Sequence, residues 1–268
     1  MTRLDGGCGM HIEFYKYQGT GNDFIILDNR NGEYNSLNKE QVAHLCNRRF
    51  GIGADGLMLL QLKEGYDFEM IYYNADGGES SMCGNGGRCL VNFANRLGVI
   101  NNTASFIAID GKHEASILPD QQVKLKMLDV KGIEKGDDYF LLNTGSPHYV
   151  VFKPSIKDLD VYNEGKKIRY NKRFADVGVN INFVETLSLN LYVRTYERGV
   201  ENETLSCGTG VTAAAIAASG TAFKNYQTNI STPGGNLQVQ FDKLNDETFI
   251  NVYLIGPATF VYKGTITI

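Results

Sequence analysis

The chain repeats itself at a spacing of 124 residues. The segments Tyr73–Gly87 and Tyr196–Gly210 each leave a strand-like stretch, pass a polar turn and deliver a cysteine followed by Gly-x-Gly, where a helix-like run begins. Cys83 and Cys207 stand 124 positions apart, Thr20–Leu27 falls on Thr144–Val151 at the same shift, and Arg48-Arg-Phe50 falls on Lys172-Arg-Phe174. Three coincidences at one offset argue for a duplicated domain. A site between two related halves can present one sulfur to each side of a small molecule.

With 268 residues, 43% of them hydrophobic and 21% charged, the chain has apolar material for two cores. A formal net charge of −4 without a dense basic run argues against nucleic acid as a partner. No run of about 18 apolar residues occurs, so no membrane-spanning helix is expected. Residues 1–9 lack the apolar segment of a secretory signal and read as a leader or tag-like stretch ahead of the first strand. Five cysteines are too few to staple a chain of this length and fit a reducing, cytoplasmic setting.

The coarse pattern predicts strands at His11–Tyr17, Phe24–Leu27, Leu57–Leu62 and Phe68–Tyr73, with turns at Gly19–Asp23 and Gly53–Gly56. A helix is expected over Leu37–Phe50 with Ser36 as its N-cap, and another from Gly84, closed at Gly98. Strands at Ser105–Ile109, Glu114–Leu118 and Val123–Leu128 complete the first half. The second half repeats the plan with strands at Tyr139–Leu142, Tyr149–Phe152, Ile181–Glu185 and Leu189–Tyr196. The run Val211–Ala218 is apolar on every side, which suits a helix wrapped by sheet. Leu237–Phe241, Phe249–Leu254 and Thr259–Ile268 close the chain. The expected fold is α+β: two pseudo-symmetric, barrel-like mixed sheets, each curled around one central helix. The halves are read as residues 10–126, joined by a returning last strand at about 259–268, and residues 127–258.

Cys83-Gly-Asn-Gly-Gly and Cys207-Gly-Thr-Gly place unhindered N–H groups at helix N-termini, which attract anions and favour thiolate over thiol. Two sulfurs with an anion cradle between them suit inversion of a carbon α to a carboxylate. A thiolate takes a proton from one face, a thiol returns one to the other, and helix-end donors hold the charge that develops.

Taken singly, each of these residues has a plainer reading. A cysteine is commonly a small buried hydrophobe, as Cys46 and Cys89 are expected to be within their helices. The Cys83–Cys89 spacing has no second ligand pair, so no metal site is expected. Gly19-x-Gly21 lacks the third glycine of a dinucleotide fingerprint. Asn22, Asn74 and Asn180 sit where asparagine often completes a turn, and an isolated Glu197-Arg198 is ordinarily a solvated pair. His148, beside Pro147, reads alone as a satisfied loop histidine.

Together these residues resemble the diaminopimelate epimerase family over nearly the whole chain from Met10. The matching motifs are Gly19-Thr-Gly-Asn-Asp-Phe24, Phe50-Gly-Ile-Gly-Ala-Asp-Gly56, Tyr73-Asn-Ala-Asp-Gly77, Cys83-Gly-Asn-Gly-Gly-Arg-Cys89, Gly178-Val-Asn180, Tyr196-Glu-Arg-Gly199, Cys207-Gly-Thr-Gly210 and Pro233-Gly-Gly235. The resemblance implies a cofactor-independent isomerase that interconverts LL- and meso-2,6-diaminopimelate, for lysine and peptidoglycan precursor synthesis. It implies that Cys83 and Cys207 are the acid/base sulfurs and that His148 and Glu197 assist them. It further implies that Gly84, Asn85, Gly208 and Thr209 hold the reacting carboxylate. Asn22, Asn74, Asn180, Glu197 and Arg198 match positions that bind the substrate's amino and carboxylate groups.

Two departures stand out: Ser146 replaces an asparagine common in the family, and Gly199–Thr204 is one residue longer than usual. A proline- or hydroxyproline-type racemase of the same superfamily is the alternative enzyme reading, and a dithiol redox or amino-acid-binding protein is the alternative outside catalysis. The sequence leaves a homodimer open.

Overall fold

The computed structural model describes residues 9–188 and 190–268. Residues 1–8 of the leader, with Cys8, and the expected strand start at Leu189 lie outside the described residues.

The duplication shows in the element starts. Gly56 opens a strand, Gly84 a helix and Gly111 a strand; their counterparts open at Asn180, Gly208 and Gly235, each 124 positions on. Strands Thr259–Thr267, His11–Gly19, Asn22–Asp28, Gly56–Gln61, Phe68–Asn74, Thr103–Ala108, Gly111–Ile117 and Val123–Lys126 pair successively in that order. Val123–Lys126 then pairs with Thr248–Gly256, and the ladder continues through Gly235–Lys243, Asn225–Thr232, Leu191–Glu197, Asn180–Thr186, Pro147–Phe152 and Phe140–Asn143. A single mixed sheet therefore runs through both halves, curling around one central helix in each: Gly84–Arg96 and Gly208–Ala217.

Parallel pairs need a crossover, and a helix supplies each one. The two central helices connect Phe68–Asn74 to Thr103–Ala108 and Leu191–Glu197 to Asn225–Thr232. Two outer helices, Lys39–Cys46 and Val161–Arg169, connect the other parallel pairs. The core follows this layering. Residues of both central helices share one apolar cluster, whereas each outer helix packs in a separate cluster with residues of its own half's strands.

Local chemistry explains where the expectations shift. The first outer helix is shorter than Leu37–Phe50, because Asn38 rather than Ser36 caps it in a reciprocal box with Gln41, and Asn47 turns extended after Cys46. The second outer helix lacks a sequence signature, being polar and carrying a mid-helix glycine. That glycine is required: a Cβ at Gly165 would lie 2.4 Å from the Tyr196 Cβ. Strand Asn225–Thr232 was likewise hidden, since most of its residues face water and only Ile230 and Thr232 are buried.

Phe93 anchors the first central helix. It is fully buried, with ring centroids 4.7 Å from Tyr15 and 5.9 Å from Tyr17. Truncation of such a ring typically costs about 3–5 kcal/mol. We expect Phe93→Ala to lower unfolding free energy by that order in denaturant titration; a loss under about 1 kcal/mol would mean that the site collapses around the gap.

Candidate active site

Each of the two paired cysteines is the residue immediately before a central helix. The Cys83 carbonyl accepts the Gly87 N–H at 2.7 Å and the Cys207 carbonyl accepts the Val211 N–H at 2.9 Å, while neither sulfur caps its helix. The helices meet start to start. A Cβ built on Gly84 would stand 3.9 Å from the Gly208 Cα, and one on Gly208 would stand 3.7 Å from the Gly84 Cα. The Leu254 methyl closes the same gap, at 3.2 Å and 2.9 Å from those positions. Glycine at both first helical positions is thus what lets the halves, and with them Cys83 and Cys207, come together.

A polar layer surrounds this junction. Asn22 donates its amide N–H to Asp55 at 2.6 Å, which leaves its Oδ1 3.6 Å from the Cys83 sulfur. Asp55 and Asp23 are held by Arg48, and Asp23 pairs with buried Lys16 at 2.7 Å. Asn85 is buried and crosses between halves, donating to the Ser206 carbonyl at 3.1 Å. Arg88, which sequence reasoning left without a role, is fully buried under the same helix start. It donates to the Gly84 carbonyl (3.2 Å), Asn85 Oδ1 (3.0 Å), Thr20 Oγ1 (3.4 Å) and the Pro257 carbonyl (3.3 Å).

On the other side, Thr209 Oγ1 lies 3.5 Å from the Cys207 sulfur and 2.9 Å from His148 Nε2. His148 reaches Thr209, and no hydrogen bond joins it to either cysteine among the described residues. Asn180 is buried; its amide donates to Ser146 Oγ at 2.9 Å and its Oδ1 accepts the Arg198 N–H at 2.8 Å. Ser146 also accepts from the Arg198 guanidinium at 3.3 Å, so the shorter hydroxyl still ties this corner together. Glu197 and Arg198 do not form an ion pair. Glu197 accepts from Thr204 Oγ1 at 2.9 Å, whereas Arg198 also donates to the Val177 carbonyl at 3.1 Å. The longer loop is pinned by Glu201, which accepts from Tyr170 and Tyr196 hydroxyls and the Gly199 N–H. Asn74 remains apart: it is exposed at a strand end, with no side-chain hydrogen bond to a described residue.

The expected lowering of the thiol pKa values is overturned. Burial pushes the Cys83 thiol up, opposed by the Gly86 N–H and reinforced by the Glu197 charge. Burial raises Cys207 well above the ordinary thiol range, again with the Glu197 charge adding, while the Thr209 hydroxyl and Gly210 N–H pull the other way. Removing a thiolate from water costs more here than two helix starts return. Glu197 is itself raised, first by burial and then by Asp55, with Thr204 offsetting. His148 is depressed to about 3 by burial and by the Arg198 charge, so its ring is neutral at physiological pH. Among the described residues no group of three or more His, Cys, Asp or Glu is placed to hold a metal ion.

This fold, one mixed sheet curled around two central helices, defines an architectural class. Solved structures of the same architecture include a PhzF-family phenazine biosynthesis protein of Bacillus anthracis, at TM-score 0.71 and 14% identity, covering 96% of this chain and 99% of that one. Another is a hydroxyproline epimerase of Agrobacterium vitis, at TM-score 0.67 and 13% identity, covering 99% and 94%. At such identities the likeness is one of fold. Sequence narrows it: the family model for diaminopimelate epimerase matches twice, over residues 14–131 and 140–261. The diaminopimelate epimerase of Flavobacterium psychrophilum is 51% identical over 257 residues, spanning 95% of this chain and all of that protein, and the one from Chlorobaculum tepidum is 44% identical over 264 residues, spanning 93% and 99%. The chain belongs to the diaminopimelate epimerase family.

The shifted Glu197 carboxyl has a consequence for stability. A carboxyl whose folded pKa is raised binds its proton more tightly folded than unfolded. That contribution is complete below the unfolded pKa and is lost as the pH rises through the folded one. Glu197→Gln removes the titration, so its melting temperature should exceed the parent's at alkaline pH and converge with it in acid. An offset that stays constant with pH would show that Glu197 is not shifted.

Proposed function

We propose that this chain inverts one α-carbon of 2,6-diaminopimelate, interconverting the LL and meso isomers with Cys83 and Cys207 as its two acid/base groups. The observation that carries this reading is the start-to-start meeting of two helices, each preceded by a cysteine, in a chain 51% identical to a diaminopimelate epimerase. Identity of 13% to the hydroxyproline epimerase makes the proline-type alternative the weaker one. The halves are taken as residues 10–126, completed by 259–268, and 127–258; the double match of the family model supports that division.

In the forward step one sulfur, as thiolate, removes the α-proton and becomes a thiol. The other sulfur, a thiol, gives its proton to the opposite face and becomes the thiolate. Charge that grows on the α-carboxylate between these events is taken up by N–H groups at the two helix starts, Gly84-Asn85 and Gly208-Thr209, of which Gly84, Asn85 and Gly208 are buried. Buried Arg88 adds positive charge beneath the first of them. Asn22, Asn74, Asn180, Glu197 and Arg198 are assigned to the substrate's polar groups, and Glu197 and His148 to supporting the sulfurs. The free state of Cys46, Cys83, Cys89 and Cys207 fits work in a reducing cytoplasm.

General acid/base groups contribute about 10²–10⁴-fold each, so Cys83→Ala and Cys207→Ala should each lose at least that much turnover while remaining folded by circular dichroism. Incubation of the parent with LL-diaminopimelate in heavy water should place deuterium at the inverted carbon of the meso product. Turnover by either alanine variant at the parent rate, or inversion without deuterium from solvent, would end the two-thiol reading. Arg198→Lys should lower kcat/KM without unfolding, because an ammonium lacks the planar fork that binds a carboxylate in two places. An unchanged kcat/KM would remove Arg198 from recognition.

A further inference from the structure

The two halves share a backbone plan but not the side chains beneath their cysteines. At positions 124 residues apart, the first half carries Phe24 and Met58 where the second carries His148 and Asn182. The pairs sit on equivalent parallel ladders, one in each half, with Phe24 opposite Gly56 and His148 opposite Asn180. Met58 and Asn182 each press on the third residue of the helix start. A Cβ on Gly86 would lie 3.1 Å from the Met58 sulfur, and one on Gly210 would lie 2.3 Å from Asn182 Oδ1. An apolar contact on the Cys83 side is thus a polar one on the Cys207 side.

The polar contact has a direction. Asn182 is fully buried, and its Nδ2 lies 3.2 Å from the Tyr149 carbonyl, which can only accept. Its Oδ1 accepts from Thr195 Oγ1 at 3.0 Å. With the amide oriented in this way, the group that faces His148 Nδ1 at 3.0 Å is a donor. Nδ1 must then carry the lone pair, and the single proton of the neutral ring sits on Nε2. From there it is donated to Thr209 Oγ1 at 2.9 Å. A threonine hydroxyl that has accepted this bond has its own proton to give, and the Cys207 sulfur lies 3.5 Å away. The Thr209 backbone is held by Thr144, whose hydroxyl donates to the Thr209 carbonyl at 2.8 Å.

We propose that Asn182 is a positioning residue that locks His148 in its Nε2–H form, so that the chain Thr195–Asn182–His148–Thr209 points the Thr209 hydroxyl as a hydrogen-bond donor at the Cys207 sulfur, the proton staying on oxygen, and so favours the thiolate. The inference rests on the reading of Cys207 as an acid/base sulfur. His148 then acts through Thr209 and not on the substrate. This hydrogen bond offsets part of what burial and Glu197 impose on Cys207; among the described residues Cys83 has backbone N–H donors and the Asn22 carbonyl oxygen but no side-chain donor of this kind. The charged and titratable groups that bear on the hydrogen-bond chain are Arg198 for the His148 ring, and Glu197 and Cys83 for the Cys207 sulfur.

Two measurements that need no substrate test it. Ring nitrogen-15 spectra of the labelled protein, with the His148 signals assigned by their loss in His148→Gln, should show a neutral Nε2–H ring that does not titrate near neutrality. Asn182→Asp, which turns a carboxylate toward Nδ1, should move the proton there or charge the ring. The second measurement is the pH dependence of Cys207 alkylation by iodoacetamide, followed by peptide mass. Thr209→Val should lower the alkylation rate near neutral pH roughly tenfold, as expected for loss of a hydrogen bond to a charged group, and Thr209→Ser should restore it. A parent His148 protonated on Nδ1, or an alkylation profile unchanged in Thr209→Val, would overturn the proposal. The parent spectrum decides the tautomer even if the Asp variant does not fold. Both results as expected in a protein that leaves diaminopimelate unchanged would keep the hydrogen-bond chain and refute the substrate assignment.

Discussion

Two helix starts pointing at each other are an electrostatic problem that the rest of this structure is arranged around. Each start carries the equivalent of about half a positive charge, so the pair repels. Neither helix has an acidic residue in its first turn to relieve it, and buried Arg88 adds further positive charge beside Gly84. The arrangement persists because the helices' other surfaces contribute to one apolar cluster that both halves share. What it leaves at the junction is a field that favours an anion, between two glycines that admit close approach. On the proposed function, the substrate carboxylate lies beside this junction and draws on donors from both halves.

Burial sets the opposing force. The same closure that concentrates the field raises both thiols, and the neighbouring Glu197 charge raises them further. Proton transfer in such a site is governed by the immediate partners of each sulfur, and these differ. Asn22, its amide nitrogen held by Asp55, offers an acceptor to Cys83, while Thr209 offers a hydroxyl to Cys207. A thiol is the better match for an acceptor and a thiolate for a donor. On the proposed arrangement, the duplication supplies a symmetric scaffold whose side-chain partners differ at the two sulfurs.

Much of the fold was legible because duplication doubles every signal. The Cys-Gly-x-Gly runs, the apolar helix expected at Val211–Ala218 and the returning last strand all stood out, since each depends on local pattern and its repetition. The outer helix Val161–Arg169 and strand Asn225–Thr232 did not, because one presses a glycine on Tyr196 and the other faces mostly water. The site residues singled out in the sequence largely converge on the helix junction, whereas Asn74 stands outside its hydrogen-bonded layer. Arg88 and Asp55 stand inside recognised motifs but received no role there, and Asn182 stood in none. Asp55 holds Asn22, Asn182 meets His148, and Arg88 ties its own helix start to Thr20 and Pro257; apart from that helix start these partners are distant in sequence, and no spacing rule encodes them.

The amino-acid sequence by itself determined the duplicated plan, the two cysteines at helix starts and the glycines that follow them, because these are properties of short segments. Only the tertiary structure decided how readily those sulfurs ionise. A helix start viewed alone lowers a thiol pKa, but the depth at which it is buried and the carboxylate beside it depend on both halves folding together. Here burial outweighs the helix field, for the physical reason that removing a charge from water costs more than a few N–H dipoles return.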